Sequence, residues 1–127
     1  MLATRNEATR DGFGEQLAIC GQSDPNILVL GADLSKATKC SVFKSSCPDR
    51  FFEIGIAEAN MIGIASGLSS YGYRVFISSF ASFLTGRYDI LRCSLAYSNA
   101  PIVVVGTHSG LAIGKDGIIL VNIEFWR

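Results

Sequence analysis

The chain has four cysteines but no Cys-x-x-Cys pair, and His108 is its only histidine, so the sequence offers no set of ligands spaced for a zinc site. Charge is also scarce. Charged side chains are 17% of the residues, with 11 basic groups balancing 11 acidic ones. That balance gives no bulk electrostatic pull toward nucleic acid or an anionic membrane, and neither is expected as a partner. No apolar run reaches the roughly 20 residues needed to span a bilayer, and the opening MLATRNEATRDG has no apolar signal core. The expected setting is cytoplasmic and reducing, with Cys20, Cys40, Cys47 and Cys93 as free thiols.

Hydrophobic residues are plentiful, at 49% of 127 positions, enough for one buried core and a single domain over 1–127. The positive mean hydropathy predicts more apolar surface than a small monomer needs, and hence an interface with another subunit or domain. Thr4 to Cys20 has an amphipathic helical pattern through Phe13, Leu17 and Cys20, broken from Gly21 to Asn26. Ile27 to Leu30 is an apolar run without alternation, the pattern of a strand covered on both faces. Lys36 to Asp49 is polar, contains Pro48 and reads as a loop. Phe51 to Ile54 reads as a strand and Ala57 to Tyr71 as a helix whose Ala59, Gly63 and Gly67 form a stripe of small residues. Glycine inside a helix costs about 1 kcal/mol relative to alanine, so the stripe predicts close approach of another backbone. A strand over Arg74 to Ser78, a helix over Phe80 to Tyr97 and a buried strand over Ile102 to Val105 complete the pattern. The alternation predicts an α/β fold, an open and mostly parallel sheet with helices on both faces.

Between Ile54 and Tyr73 the only formal charge is Glu58, in the run Gly55-Ile56-Ala57-Glu58-Ala59-Asn60-Met61. Its apolar neighbours predict a carboxyl withdrawn from water, with the protonated form favoured. Two readings compete. Glu58 could complement the positive end of the helix dipole, worth about 0.3 to 1 kcal/mol, or it could share a proton with a bound ring nitrogen. On spacing alone the dipole role comes first. Ligands in open α/β sheets bind beyond the carboxyl ends of the strands, where Gly31 to Ser35, Gly55 to Glu58, Ser78 to Phe83 and Gly106 to Asp116 all fall. That convergence moves the chemical reading of Glu58 ahead.

Read in order, GIAEANMIGIASGLSSYG, SSFASFL and GTHSGLAIGKDG make the chain resemble the pyrimidine-binding domain of transketolases, from about Ala3 to Gly117. The resemblance implies thiamine diphosphate as cofactor, its pyrimidine end bound here, and transfer of a two-carbon ketol unit from a ketose phosphate to an aldose phosphate. Glu58 matches the glutamate that hydrogen-bonds the aminopyrimidine and favours its imino tautomer. Phe83 matches the aromatic stacked on that ring, with Phe80 as a nearby wall, and Asp33 and Leu34 match the family's Asp-Leu element near the cofactor. His108 matches a donor-substrate histidine, Asp116 an aspartate that orients a donor hydroxyl, and Arg5, in Ala3-Thr4-Arg5, a substrate-phosphate arginine.

The chain also departs from the family pattern. Lys115 stands where an acidic residue is usual, and after Gly117 the run IILVNIEFWR replaces the usual proline and second His or Gln. The Gly-Asp-Gly and Asn element that holds Mg²⁺ and diphosphate is absent from this sequence, so the resemblance implies a separate diphosphate-binding domain or subunit carrying the metal. The expected assembly is a homo- or hetero-oligomer acting on sugar phosphates, the isolated chain supplying half of a site. The same features leave open a deoxyxylulose-phosphate synthase, the β component of a 2-oxo acid dehydrogenase, or a non-catalytic dimerisation module.

Overall fold

Every side chain of Ile27-Leu28-Val29-Leu30 is buried, because β1 (Ile27–Gly31) runs through the middle of the sheet. The computed structural model describes residues 7–110. Strands β2 (Phe51–Glu53), β3 (Arg74–Phe80) and β4 (Ile102–Thr107) complete a parallel sheet in the order β2-β1-β3-β4. Helices cover both faces, which explains the missing alternation in β1. Ile27 and Val29 pack with Leu17, Cys40, Phe43 and Cys47 under α1 (Thr9–Ser23) and α2 (Cys40–Ser46). Leu30, Val75 and Ile77 pack with Met61, Ile62 and Ala65 under α3 (Glu58–Ser70).

Several elements differ from the sequence expectation. α1 does not break at Gly21 but continues to Ser23. Gly21 is a packing glycine: a Cβ there would lie 2.3 Å from Cε2 of Phe43. The stretch read as a loop over Lys36 to Asp49 contains α2, followed by a tight turn at Pro48–Arg50. Its buried Cys40, Phe43 and Cys47 follow helical spacing, which the intervening Ser41, Lys44, Ser45 and Ser46 disguise. Arg50 then ties this unit to the end of α1, donating from Nη2 to the Gly21 carbonyl at 2.6 Å and from Nη1 to that of Asp24 at 2.8 Å. Carbonyls at a helix end lack intrahelical partners, so the guanidinium acts as a cap.

The single helix expected over Phe80 to Tyr97 is three pieces. Phe80 pairs with Thr107 as the last residue of β3, so it is extended, and α4 (Ala81–Thr85) begins one residue later. The Gly86 amide closes α4 on the Ser82 carbonyl, after which α5 (Tyr88–Ile90) leads into a wide turn over Leu91–Ala96. The strand expected to be buried over Ile102 to Val105, β4, lies at the sheet edge among the described residues, with Val103 and Val104 46% and 40% exposed. Its apolar run reflects half-cover by β3, and a groove of about 410 Å³ lined by Tyr88, Leu91, Leu95, Ile102 and Val104 flanks it. The small-residue stripe of α3 faces outward: a Cβ at Gly63 or Gly67 would touch nothing among the described residues.

Candidate functional site

The strand order places a topological switch point between β1 and β3, where Gly31 lies opposite Ser78. A crevice forms beyond the carboxyl ends of such strands because the connections leave in opposite directions. α3 crosses from β2 to β3, and its first residue is Glu58. Glu58 is 7% exposed, and its Oε1 accepts a hydrogen bond from Ser79 Oγ at 3.0 Å. A carboxylate serving the helix dipole alone gains by facing water; this one is folded inward against the end of β3. Ser79 makes its one hydrogen bond among the described residues, leaving most of the acceptor capacity of a carboxylate unused. Burying an acid with so few partners is unfavourable, and a ligand donor would offset the cost.

β3 delivers the aromatic wall. The Phe80 and Phe83 rings lie 5.7 Å apart at an interplanar angle of 27°, and the Phe80 ring lies 4.3 Å from that of His108. Ser79 and Phe80 are consecutive, so the contact to Glu58 and the aromatic wall come from adjacent residues of one strand. A carboxyl and aromatic faces brought to the end of one strand offer a flat heteroaromatic ring an acceptor for its polar edge and a face for its plane.

His108 follows β4 directly and has φ +55°, a left-handed conformation uncommon outside glycine. Asp33, just past β1, has φ +60°. Such residues concentrate at sites where surrounding contacts override local preference. Thr107 Oγ1 is 2.9 Å from His108 Nδ1, and Arg10 Nη1 is 2.6 Å from Nε2. Burial, and then the charge of Arg10, hold the His108 pKa below the usual histidine range. Arg10 Nε is buried without a hydrogen-bond partner among the described residues, beside a cavity of about 500 Å³ lined by Thr9, Arg10, Phe13, Gly106, Thr107 and His108.

Glu58 therefore reaches the end of β3 through Ser79, while Phe80, Phe83 and His108 stand together at the ends of β3 and β4. Asp33 and Leu34 lie on the adjoining β1 loop, where Asp33 is exposed and the Leu34 carbonyl accepts from Thr38. Arg5, Lys115, Asp116 and the divergent run after Gly117 lie outside the described residues. Three participants were not singled out from sequence. Arg10 was hidden because Ala-Thr-Arg occurs twice, at 3–5 and 8–10, and the second copy is the one at the head of α1. Ser79 has no motif of its own. Glu53 looked like an ordinary strand residue, yet its Oε1 accepts from the Asp33 amide at 2.6 Å and the Gly55 amide at 3.4 Å, joining the β1 loop to the turn before α3.

Comparison with known proteins identifies the family and agrees with the fold. The family model described as the pyrimidine-binding domain of transketolase matches residues 5–118. A protein of Methanocaldococcus jannaschii, named for the C-terminal section of transketolase, is 45% identical over 85% of this chain and 34% of its own length. Human transketolase is 40% identical over 92% of this chain but 19% of its own length. Among solved structures, a split-gene transketolase described as an inactive β4 tetramer superposes with a TM-score of 0.73 at 47% identity, over 80% of this chain and 34% of that one. Transketolase from Leishmania mexicana gives a TM-score of 0.77 at 27% identity, over 89% and 18%. The chain thus spans between about a fifth and a third of the length of these relatives. With the model match covering most of its length, this chain belongs to the transketolase family, as a pyrimidine-binding domain.

Proposed function

We propose that this chain is the pyrimidine-binding component of a two-carbon ketol transferase, completed by a diphosphate-binding domain or subunit that brings Mg²⁺. The observation that supports the reading best is Glu58, buried and held by Ser79 at the end of β3, the strand end from which the Phe80 and Phe83 pair also starts. When bound, thiamine diphosphate would supply the nucleophilic carbon and the electron sink for cleavage of the bond next to a ketose carbonyl. Glu58 would exchange a proton with the pyrimidine ring nitrogen, and Ser79 would orient the carboxyl so that its other oxygen faces the ring. Phe83 would cover the ring face and exclude water, with Phe80 closing the side toward His108.

On the substrate side, His108 would contact a donor hydroxyl. Arg10, by its place beside His108, is a better candidate than Arg5 for the substrate phosphate. Asp116 remains the proposed second hydroxyl ligand, and Asp33 and Leu34 would border the cofactor from the β1 loop. Ile56 is 83% exposed two residues before Glu58, and α3 turns its glycines outward. An apolar approach beside a buried acid suits a partner that closes the site.

The stacking role has a direct test. In the chain reconstituted with a diphosphate-binding subunit and Mg²⁺, Phe83→Ala should weaken thiamine diphosphate binding, read by calorimetric titration. Aromatic stacking on a base is worth about 1 to 3 kcal/mol, so the dissociation constant should rise at least about fivefold. A smaller change would remove Phe83 from the cofactor site.

A further inference from the structure

We propose that Glu53 is a positioning residue for Glu58: its carboxylate clamps the loop after β1 to the turn before α3 and so fixes where α3 begins. Glu53 is the last residue of β2 and lies across the ladder from Gly31. Gly31 has no side chain, and a Cβ there would lie 3.5 Å from Glu53 Oε2, so the carboxylate lies back over the end of β1. There Oε1 accepts from the Asp33 amide at 2.6 Å and from the Gly55 amide at 3.4 Å. The first bond is short, as hydrogen bonds to an ionised acceptor are. Both donors have left-handed backbones, φ +60° at Asp33 and +83° at Gly55, and stand where the chain leaves β1 and β2. An exposed acid on an edge strand ordinarily faces water; this one is turned onto backbone.

The entry of α3 needs such a tie. No side chain caps its first turn, and its N-cap residue, Ala57, donates its amide to the Gly55 carbonyl at 2.7 Å. Gly55 is thus held by Glu53 on its amide side and by Ala57 on its carbonyl side. From there the chain must bring Glu58 to Ser79 on β3, and β1 lies between β2 and β3. The path therefore crosses the end of β1, where the Asp33 loop leaves it. Without the clamp, the loop and the turn can move apart, and Glu58 meets a bound ring at a changed distance and angle. A displacement of about 1 Å in a reacting group can cost about 10²-fold in rate. Glu53 acts by geometry alone, with no proton or bond exchanged at its carboxylate. The effect on rate rests on the proton exchange proposed above for Glu58; the clamp rests on the hydrogen bonds to the two amides.

Amide hydrogen exchange at Asp33 and Gly55, read by NMR on the full chain, tests the clamp without any cofactor. Both amides should be protected in the wild type. In Glu53→Leu the Asp33 amide should exchange about tenfold faster or more, the worth of a hydrogen bond to a charged acceptor. Glu53→Gln keeps a carbonyl oxygen and should retain most of the protection. Because Glu53 is exposed, both variants should unfold near the wild-type temperature. In the complex with a diphosphate-binding subunit, thiamine diphosphate and Mg²⁺, Glu53→Leu should lower kcat about tenfold to 10²-fold and leave the sugar phosphate KM nearly unchanged, and Glu53→Gln should recover most of the rate. Unchanged exchange in Glu53→Leu would overturn the clamp. Lost protection with an unaltered kcat, or a Glu53→Gln as slow as Glu53→Leu, would overturn the positioning role. Protected amides in a wild-type chain that supports no ketol transfer in any complex would sink the proposed function and leave the clamp standing, whereas unprotected amides in an active complex would sink this inference alone.

Discussion

Glu58→Gln, in the chain paired with a diphosphate-binding subunit, thiamine diphosphate and Mg²⁺, should lower the ketol transfer rate by about 10² to 10⁴-fold, the usual range for loss of a positioned proton donor or acceptor. The substitution is nearly isosteric. Glutamine keeps a carbonyl oxygen that can accept the Ser79 hydroxyl, so the link between α3 and the end of β3 need not break. Only the exchangeable proton is lost. Thermal unfolding should therefore stay close to that of the unaltered chain while turnover collapses. If Glu58 merely complemented the positive end of α3, the effect would run the other way: stability would change by about 0.3 to 1 kcal/mol and the rate would be nearly untouched. Rate and melting curve measured on the same preparation separate the two roles.

Phe43→Ala should produce the largest loss of stability, about 3 to 5 kcal/mol, out of a total that for ordinary domains is about 5 to 15 kcal/mol. Phe43 is fully buried and belongs to the cluster with Leu17, Val29 and Phe51. Its ring fills the space left by the missing side chain of Gly21, and the Arg50 guanidinium lies 5.8 Å from the ring centroid. Shrinking it opens a cavity between α1, α2 and β1 that the Arg50 cap prevents from collapsing easily. Urea unfolding followed by circular dichroism should show the midpoint falling with little change in slope. A loss under 1 kcal/mol would mean that α2 is not a fixed part of the core.

The pattern of legible and illegible elements has physical causes. β1, α3 and β3 were readable because each carries a strong periodic or continuous apolar signal, and their carboxyl ends mark the site. α2 was not, since seven residues with an interspersed polar face give too little periodicity to outweigh Pro48 and the serines around it. The break after Phe80 was hidden because a single strand-ladder partner, Thr107, decides that Phe80 is extended. Burial of β4 was overestimated: four consecutive apolar residues indicate a strand but not how many neighbours it has. At the candidate site, Glu58, Phe80, Phe83 and His108 were picked out through the motifs that resemble the family's. Ser79, Glu53 and Arg10 act through contacts 20 to 98 residues away in sequence, which no local pattern encodes.

The central claim is that this chain supplies half of a ketol transfer site. It is tested most directly by purifying the chain and a diphosphate-binding subunit separately, mixing them with thiamine diphosphate and Mg²⁺, and following a ketose phosphate and an aldose phosphate together. Transfer of the two-carbon unit by the mixture, and by neither protein alone, is the predicted result. Pyruvate consumption without ketose transfer, or no transfer with any pairing, would contradict it.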